Sequence, residues 1–365
     1  MLTFILPTRN RPHRLAQTLA ALGTLATTTE VIVIDNASEL PAQTPPTLAN
    51  NSLVRTIRSR TNLGAAARNL GVRESDPASR WVVMLDDDSH PTDDGFVQAL
   101  REQPADVAAV SADISLPLQQ RREDGGLPEV FIGCGVAVRR EVFLELGGYD
   151  PSFDYYAEEY DLAARIILSG QRTVFDPRFK VAHFKDATNR DLNRIIARLV
   201  RNNGWVTQRY TPEAQRRAEL RRTRRRYRAI AAKEHAAIGY ALGISELRQT
   251  LRAQQRTSMP VPLFDRFTGL AHAREAIHAE HRARPFRSAA IISEGKNSWA
   301  VRAALHEIEV RLDHPDHAET LVIGTLSPGP MLDAAEQWSN KGQRVIAPWS
   351  AAALQRVTRS RATAA

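Results

Sequence analysis

Apolar runs and polar breaks alternate through the first ninety residues. Thr3-Phe4-Ile5-Leu6-Pro7, Glu30-Val31-Ile32-Val33-Ile34 and Trp81-Val82-Val83-Met84-Leu85 are short and almost wholly apolar. Runs of this kind read as strands buried on both faces, as in a parallel sheet. Val54-Arg55-Thr56-Ile57 adds a shorter strand. Between these runs, Pro12 opens a helix with Leu15, Leu19 and Leu22 on one face, and Asn62 to Asn69 is a loop entering an alanine-rich helix. Strands alternating with helices predict a doubly wound, mostly parallel α/β sheet.

The rhythm then changes. Gln119 to Pro128 reads as a polar, mobile loop, and Phe131 to Val138 as a strand. Arg140 to Leu146 reads as a short helix stopped by Gly147-Gly148. A helix is expected to open at Tyr155 and run to Ser169-Gly170, followed by two brief strands, Thr173–Phe175 and Val181–His183, on either side of Pro177. Asn189 to about Arg256 reads as helical and ends before Met259-Pro260-Val261-Pro262. A second βα pattern follows Pro285: strand Ala289–Ile292, helix Trp299–Leu312, strand Leu321–Ile323, helix Met331–Trp338 and strand Arg344–Ile346. The stretch after Pro348 reads as helix or loose tail. The module has neither GxGxxG nor GxxxxGK[ST], so no nucleotide site is assigned to it. The expected organisation is an α/β domain over 1–188, a basic helical extension over 189–258 and a small α/β module over 285–350.

Composition narrows the class. The chain has 365 residues, 43% of them hydrophobic and 25% charged, as in ordinary globular proteins. The single cysteine, Cys134, excludes an intramolecular disulfide and a CxxC metal site, and is compatible with a reducing cytoplasm. No apolar run approaches the ~20 residues that cross a bilayer. The net charge of +8 is unevenly placed: residues 186–260 hold seventeen Lys and Arg against six Asp and Glu. Eight arginines fall between Gln215 and Arg228. A solvated helix is one reading. A patch for anionic lipid is another, at about 1 kcal/mol per basic side chain. Nucleic-acid binding finds no accompanying reading motif.

Three strands end in polar groups: Thr8 and Arg9, Asp35, and Asp86-Asp87-Asp88. Open α/β sheets bind ligands outside the carboxyl ends of their strands. Asp86 and Asp88, two apart in extended chain, point the same way. Such a pair suits a hard divalent cation that keeps positions open for phosphate; the alternative is an acidic turn capping the next helix, with Asp93 and Asp94. Asp35 is placed to accept a base N–H, and Arg68 to meet base or phosphate unless it is a surface arginine. Glu158, Glu159 and Asp161 at a helix start either favour the macrodipole or supply a general base. His183 is either a third metal ligand or a structural histidine at a strand end.

Taken in order, the motifs resemble the GT-A-fold glycosyltransferases of family 2. They are Leu6-Pro7-Thr8-Arg9-Asn10, Val33-Ile34-Asp35-Asn36, Asn62-Leu63-Gly64 with Ala67-Arg68-Asn69, and Leu85-Asp86-Asp87-Asp88 with Pro91. Gly147-Gly148-Tyr149-Asp150, Glu158-Glu159-Tyr160-Asp161-Leu162 and Val181-Ala182-His183 continue the series. The likeness covers about residues 1–212. It implies a Rossmann-like mixed sheet and inverting transfer of a sugar from a nucleotide-diphospho-sugar to a hydroxyl acceptor. Pro7, Thr8, Arg9, Asp35, Asn62, Arg68, Asp86 and Asp87 would then hold the nucleotide. Asp88 would coordinate Mn²⁺ or Mg²⁺ with His183 beside it, and Glu159 would be the base, supported by Glu158 and Asp161. The family commonly has Glu-Asp where this chain has Glu158-Glu159, which leaves the choice between the two acids open. The implied setting is cell-surface glycan or polysaccharide synthesis on a carbohydrate or lipid-linked acceptor; the cysteine count adds the cytoplasm, and the basic stretch 214–228 adds contact with an anionic membrane as one expectation. The rival readings are a catalytically silent scaffold and a nucleotidyltransferase.

Overall fold

The structure is a computed structural model and describes residues 1–185, 191–338 and 343–349. In chain order the strands are β1 (Leu2–Thr8), β2 (Glu30–Asn36), β3 (Leu53–Ser59), β4 (Trp81–Met84), β5 (Ser89–Pro91), β6 (Val107–Leu116), β7 (Arg121–Arg122), β8 (Val136–Arg139), β9 (Arg172–His183), β10 (Ser288–Ile292), β11 (Arg311–Leu312), β12 (Thr320–Ile323) and β13 (Val345–Ile346). The α-helices are α1 (Pro12–Leu22), α2 (Ala67–Glu74), α3 (Gly95–Arg101), α4 (Arg140–Glu145), α5 (Glu158–Leu168), α6 (Leu192–Tyr210), α7 (Glu213–Lys233), α8 (Ala237–Thr250), α9 (Val261–Thr268), α10 (Leu270–Ala283), α11 (Ser298–Glu307) and α12 (Pro328–Trp338). Two compact units emerge, each drawn from three stretches of chain. Met1–Asp88, Val138–Gln171 and Lys185–Phe264 form the first; Ser89–Ala137, Arg172–Phe184 and the chain from Asp265 onward form the second.

In the first unit, β3, β2, β1 and β4 lie side by side and parallel. β2 is buried along nearly its whole length, as its apolar run requires. α1 turns Leu15, Leu19 and Leu22 inward, the face expected from their spacing. Register sets the carboxyl edge of the sheet: Thr8 lies opposite Asp35, and Asp35 opposite Arg58. At Gly64, φ is +60°, and a Cβ would collide with the Asp154 backbone. Glycine therefore lets the loop before α2 close on Asp154, whose carbonyl accepts the Ala65 N–H at 2.7 Å. α5 begins at Glu158, three residues later than the sequence suggests, because Tyr156 and Ala157 have φ of 73° and 67°. The basic segment is three helices, α6, α7 and α8. α8 packs on α6 through Gly239 and Gly243, where a Cβ would strike the backbone at Asn193 and Ala197.

The second unit holds a mixed sheet: β6 pairs with β9 in parallel, while β5 pairs with β9 and β7 with β6 antiparallel. The two brief strands expected around Pro177 are one strand, β9. Its pairing with β6 jumps from Ser111↔Phe175 to Asp113↔Lys180, so Pro177 sits in the irregular stretch where no ladder N–H is asked of it. The strand expected over 131–138 is only Val136–Arg139. The loop expected to be mobile over 119–128 carries β7 and is tied down. Arg122 pairs with Asp113 at 2.8 Å, Asp333 at 2.7 Å and Glu336 at 3.0 Å. The C-terminal module is a parallel sheet ordered β11-β10-β12-β13. Its first helix stops at Glu307, and Arg311–Leu312 pairs with β10 instead of extending the helix. The stretch after Pro348 lies almost wholly outside the described residues.

Candidate functional site

The carboxyl ends of β1 and β4 bring together four side chains of the first unit. The Thr8 hydroxyl donates to Asp87 Oδ2 at 2.7 Å. Arg11, in the turn after β1, pairs with both acids that follow β4: it contacts Asp87 and donates to Asp88 Oδ2 at 2.6 Å. Both acids are nearly buried. Burial pushes the Asp87 carboxyl up to about 7, against the pull of Arg11 and the Thr8 hydroxyl. Arg11 was missed by the sequence reading, since its partners lie seventy-six and seventy-seven residues away. Nearby, Arg9 is exposed and donates to the Ala37 carbonyl at 3.4 Å, and Pro7 is half-buried.

Asp86 faces a different partner. Arg68 pairs with it and also donates to the Leu85 carbonyl at 3.2 Å. Arg68 is buried rather than superficial. Burial works against its charge, but Asp86, Tyr149, Glu158 and Glu159 hold its pKa above the ordinary value. Burial, reinforced by the charge of Glu159, holds Glu158 well above the usual carboxylate range. Glu158 Oε2 and Arg68 Nε are both buried without a hydrogen-bond partner, a costly state that a ligand's polar groups would relieve. Glu159 is half-buried. Asp161 turns elsewhere: it accepts from Arg165 at 2.7 Å, Arg209 at 2.8 Å and the Tyr210 hydroxyl at 2.6 Å, joining α5 to α6.

Two more predicted donor-site residues hold their own loops. Asp35 accepts the N–H of Ser38 at 2.8 Å and of Ala42 at 3.1 Å, with Arg58 at 3.6 Å. Asn62 Oδ1 accepts from Asn36 at 2.9 Å, from the Gly64 N–H at 3.0 Å and from the Tyr155 hydroxyl at 3.3 Å.

In the second unit, His183 ends β9. Its Nδ1 lies 2.9 Å from Glu123 Oε2 and 3.5 Å from Cys134 Sγ. A carboxylate on one ring nitrogen fixes the tautomer and orientation of the ring, the kind of support that metal-binding histidines receive. Glu123 carried no signal within its polar loop. The proposed cap residues divide: Asp93 Oδ1 accepts the Gly95 N–H at 2.9 Å, and Asp94 makes no side-chain cap to α3.

Open α/β sheets bind ligands outside the carboxyl ends of their strands, where these charged groups lie. Residues 3–122 match the model of glycosyl transferase family 2. No curated protein matches the chain. Among solved structures it is similar to GalNAc-T7 with UDP, GalNAc and Mn²⁺, at 16% identity and a TM-score of 0.46, over 62% of this chain and 54% of that one. The chain thus spans about half the length of GalNAc-T7. It is similar to the Pyrobaculum calidifontis mannosyltransferase PcManGT in complex with GDP-Man and Mn²⁺, at 18% identity and a TM-score of 0.43, covering 84% and 86%. A third likeness is to S. aureus TarS 1–349 in complex with UDP-GlcNAc, at 13% identity and a TM-score of 0.47, covering 84% and 91%.

Proposed function

We propose that this protein transfers a sugar, with inversion, from a nucleotide-diphospho-sugar to a hydroxyl of a carbohydrate or lipid-linked acceptor, in cytoplasmic synthesis of cell-surface glycan or polysaccharide. The observation that carries the reading is the pair of orphaned buried atoms, Glu158 Oε2 and Arg68 Nε, beside an acidic strand end and at the start of α5. Thr8, Arg9, Asp35, Asn62 and Arg68 border the nucleotide, with Asp86 toward the ribose. In this reading Asp88 and His183, the two ligands expected from the sequence, would hold Mn²⁺ or Mg²⁺. When bound, the ion supplies positive charge against the diphosphate leaving group.

Glu159 takes the proton from the acceptor hydroxyl in this reading. Glu158 is the weaker candidate, because burial, reinforced by the charge of Glu159, raises its pKa and disfavours the charged form. Asp161 is spent on Arg165, Arg209 and Tyr210, so its part is to fix α5. A screen of UDP- and GDP-sugars with Mn²⁺, read as release of free UDP or GDP, tests the activity. Glu159→Gln should lower kcat by about 10²–10⁴-fold while Mn²⁺-dependent UDP or GDP binding survives. Glu158→Gln should lose less. The reverse ranking would move the base to Glu158. Release of pyrophosphate would make the protein a nucleotidyltransferase, and nucleotide binding without turnover would make it a silent scaffold.

A further inference from the structure

The helical hairpin of the first unit presents two kinds of surface. α7 buries Leu220, Tyr227 and Ala231, and these join Ile196 and Val200 of α6 and Ala236 in one apolar cluster. Arg217, Arg221, Arg225 and Arg228 are exposed. Their spacing of four, four and three residues places them along one side of the helix. Among the described residues these four make no hydrogen bond or ion pair. The acids on the helix are already engaged: Glu213 with Arg216 and Arg256, Glu219 with Arg222. The stripe is therefore cationic charge with little local compensation, Arg217 alone feeling the charge of Glu213.

α8 follows after a three-residue connection and has a different outer face. Its glycines and Leu247 face inward, while Ile238 and Leu242, one turn apart, are 69% and 54% exposed. Two large aliphatic side chains at that exposure, directly after a basic helix, have no use in solvation or in binding a polyanion. They suit an interface with water on one side and acyl chains on the other. No helix among the described residues is long and apolar enough to cross a membrane, so such contact would be peripheral.

We propose that α7 and α8 form a docking surface for an anionic lipid bilayer, with the arginine stripe against the headgroups and Ile238 and Leu242 entering the boundary beneath them. Charge complementarity selects the anionic surface, and the aliphatic pair distinguishes a bilayer from a soluble polyanion. The proposal stands apart from sugar transfer: neither helix face carries a residue assigned to the chemistry.

Flotation of the full chain with phosphatidylglycerol/phosphatidylcholine vesicles, against phosphatidylcholine alone, tests it. Binding to the anionic vesicles only is expected, and it should weaken as NaCl rises from 50 to 500 mM, because screening shortens the reach of the charges. The triple variant Arg217→Ser, Arg221→Ser, Arg225→Ser should bind at least tenfold more weakly, each arginine near an anionic surface being worth roughly fivefold. The double variant Ile238→Ser, Leu242→Ser should also bind more weakly and lose the fraction that resists high salt. Circular dichroism checks that both variants fold, as expected for exposed positions. Absence of binding by the parent, or parent-like binding by the arginine variant, overturns the proposal. Binding that the aliphatic variant keeps in full, and that inorganic polyphosphate competes away, replaces the bilayer with a polyanion.

Discussion

Arg11 is the counter-charge for two nearly buried acids, so its loss reaches beyond its own contacts. Arg11→Ala leaves Asp87 and Asp88 without the guanidinium that both use. Breaking a fully buried pair costs about 3–5 kcal/mol. The Arg11 side chain is 36% exposed, so solvent screening brings the expected loss down to roughly 1–3 kcal/mol. Urea unfolding of the variant checks this, and an unchanged midpoint would show that water already compensates the two acids. The same residue shows where sequence reasoning stops at this scale. Asp86, Asp87 and Asp88 stand out because carboxylates interrupt an apolar run. Nothing local marks Arg11 as their partner, because the contact exists only once β1 and β4 lie side by side. Glu123 is hidden for the same reason: its relation to His183 spans sixty residues. Arg68 illustrates the converse. It is found by its motif, but only the fold reveals that a charged side chain at a helix start is buried.

At the scale of elements, the short apolar runs were readable because a strand buried on both faces leaves no room for polar residues. β1, β2 and β4 all follow this rule. β9 escaped it because Pro177 interrupts the pattern without ending the strand, and α5 because two residues of positive φ delay its start. The join between α9 and α10 makes a pH-dependent contact that no local pattern predicts. Glu129 is buried and held by Arg266 at 2.7 Å and by His272 at 3.4 Å. Burial lowers the pKa of His272 below its ordinary 6.5, opposed by Glu129 and Glu275 and assisted by Arg266. The unfolded chain therefore takes up this proton more readily than the folded one. Stability should rise with pH through the window between the two values, and be lost as pH falls below about 6.5. His272→Gln should flatten that slope in Tm measured from pH 7.5 to 5. Equal slopes for parent and variant would assign the acid sensitivity elsewhere.

At the scale of the whole molecule, the chain passes back and forth between its two units, so neither is a continuous piece. A chain ending at Phe264 keeps every stretch of the first unit but strips the second of partners. Glu129 loses Arg266 and His272, and Arg122 loses Asp333 and Glu336. Hydrogen exchange on such a truncation should show protected β1, β2 and β4, with residues 89–137 and 172–184 exchanging far faster than in the full chain. Full protection of those segments would mean that they fold without the C-terminal module. The interleaving also sets a schedule for synthesis. The segment holding β1 to β4 is complete at Asp88, yet its unit is not closed until Phe264. At about 5–20 residues per second, those strands wait roughly 10–35 s for the helices that complete their unit. During that wait the parallel strands have α1 and α2 to pack against but lack the later helices of their unit, so codon choice between residues 89 and 264 is expected to affect yield.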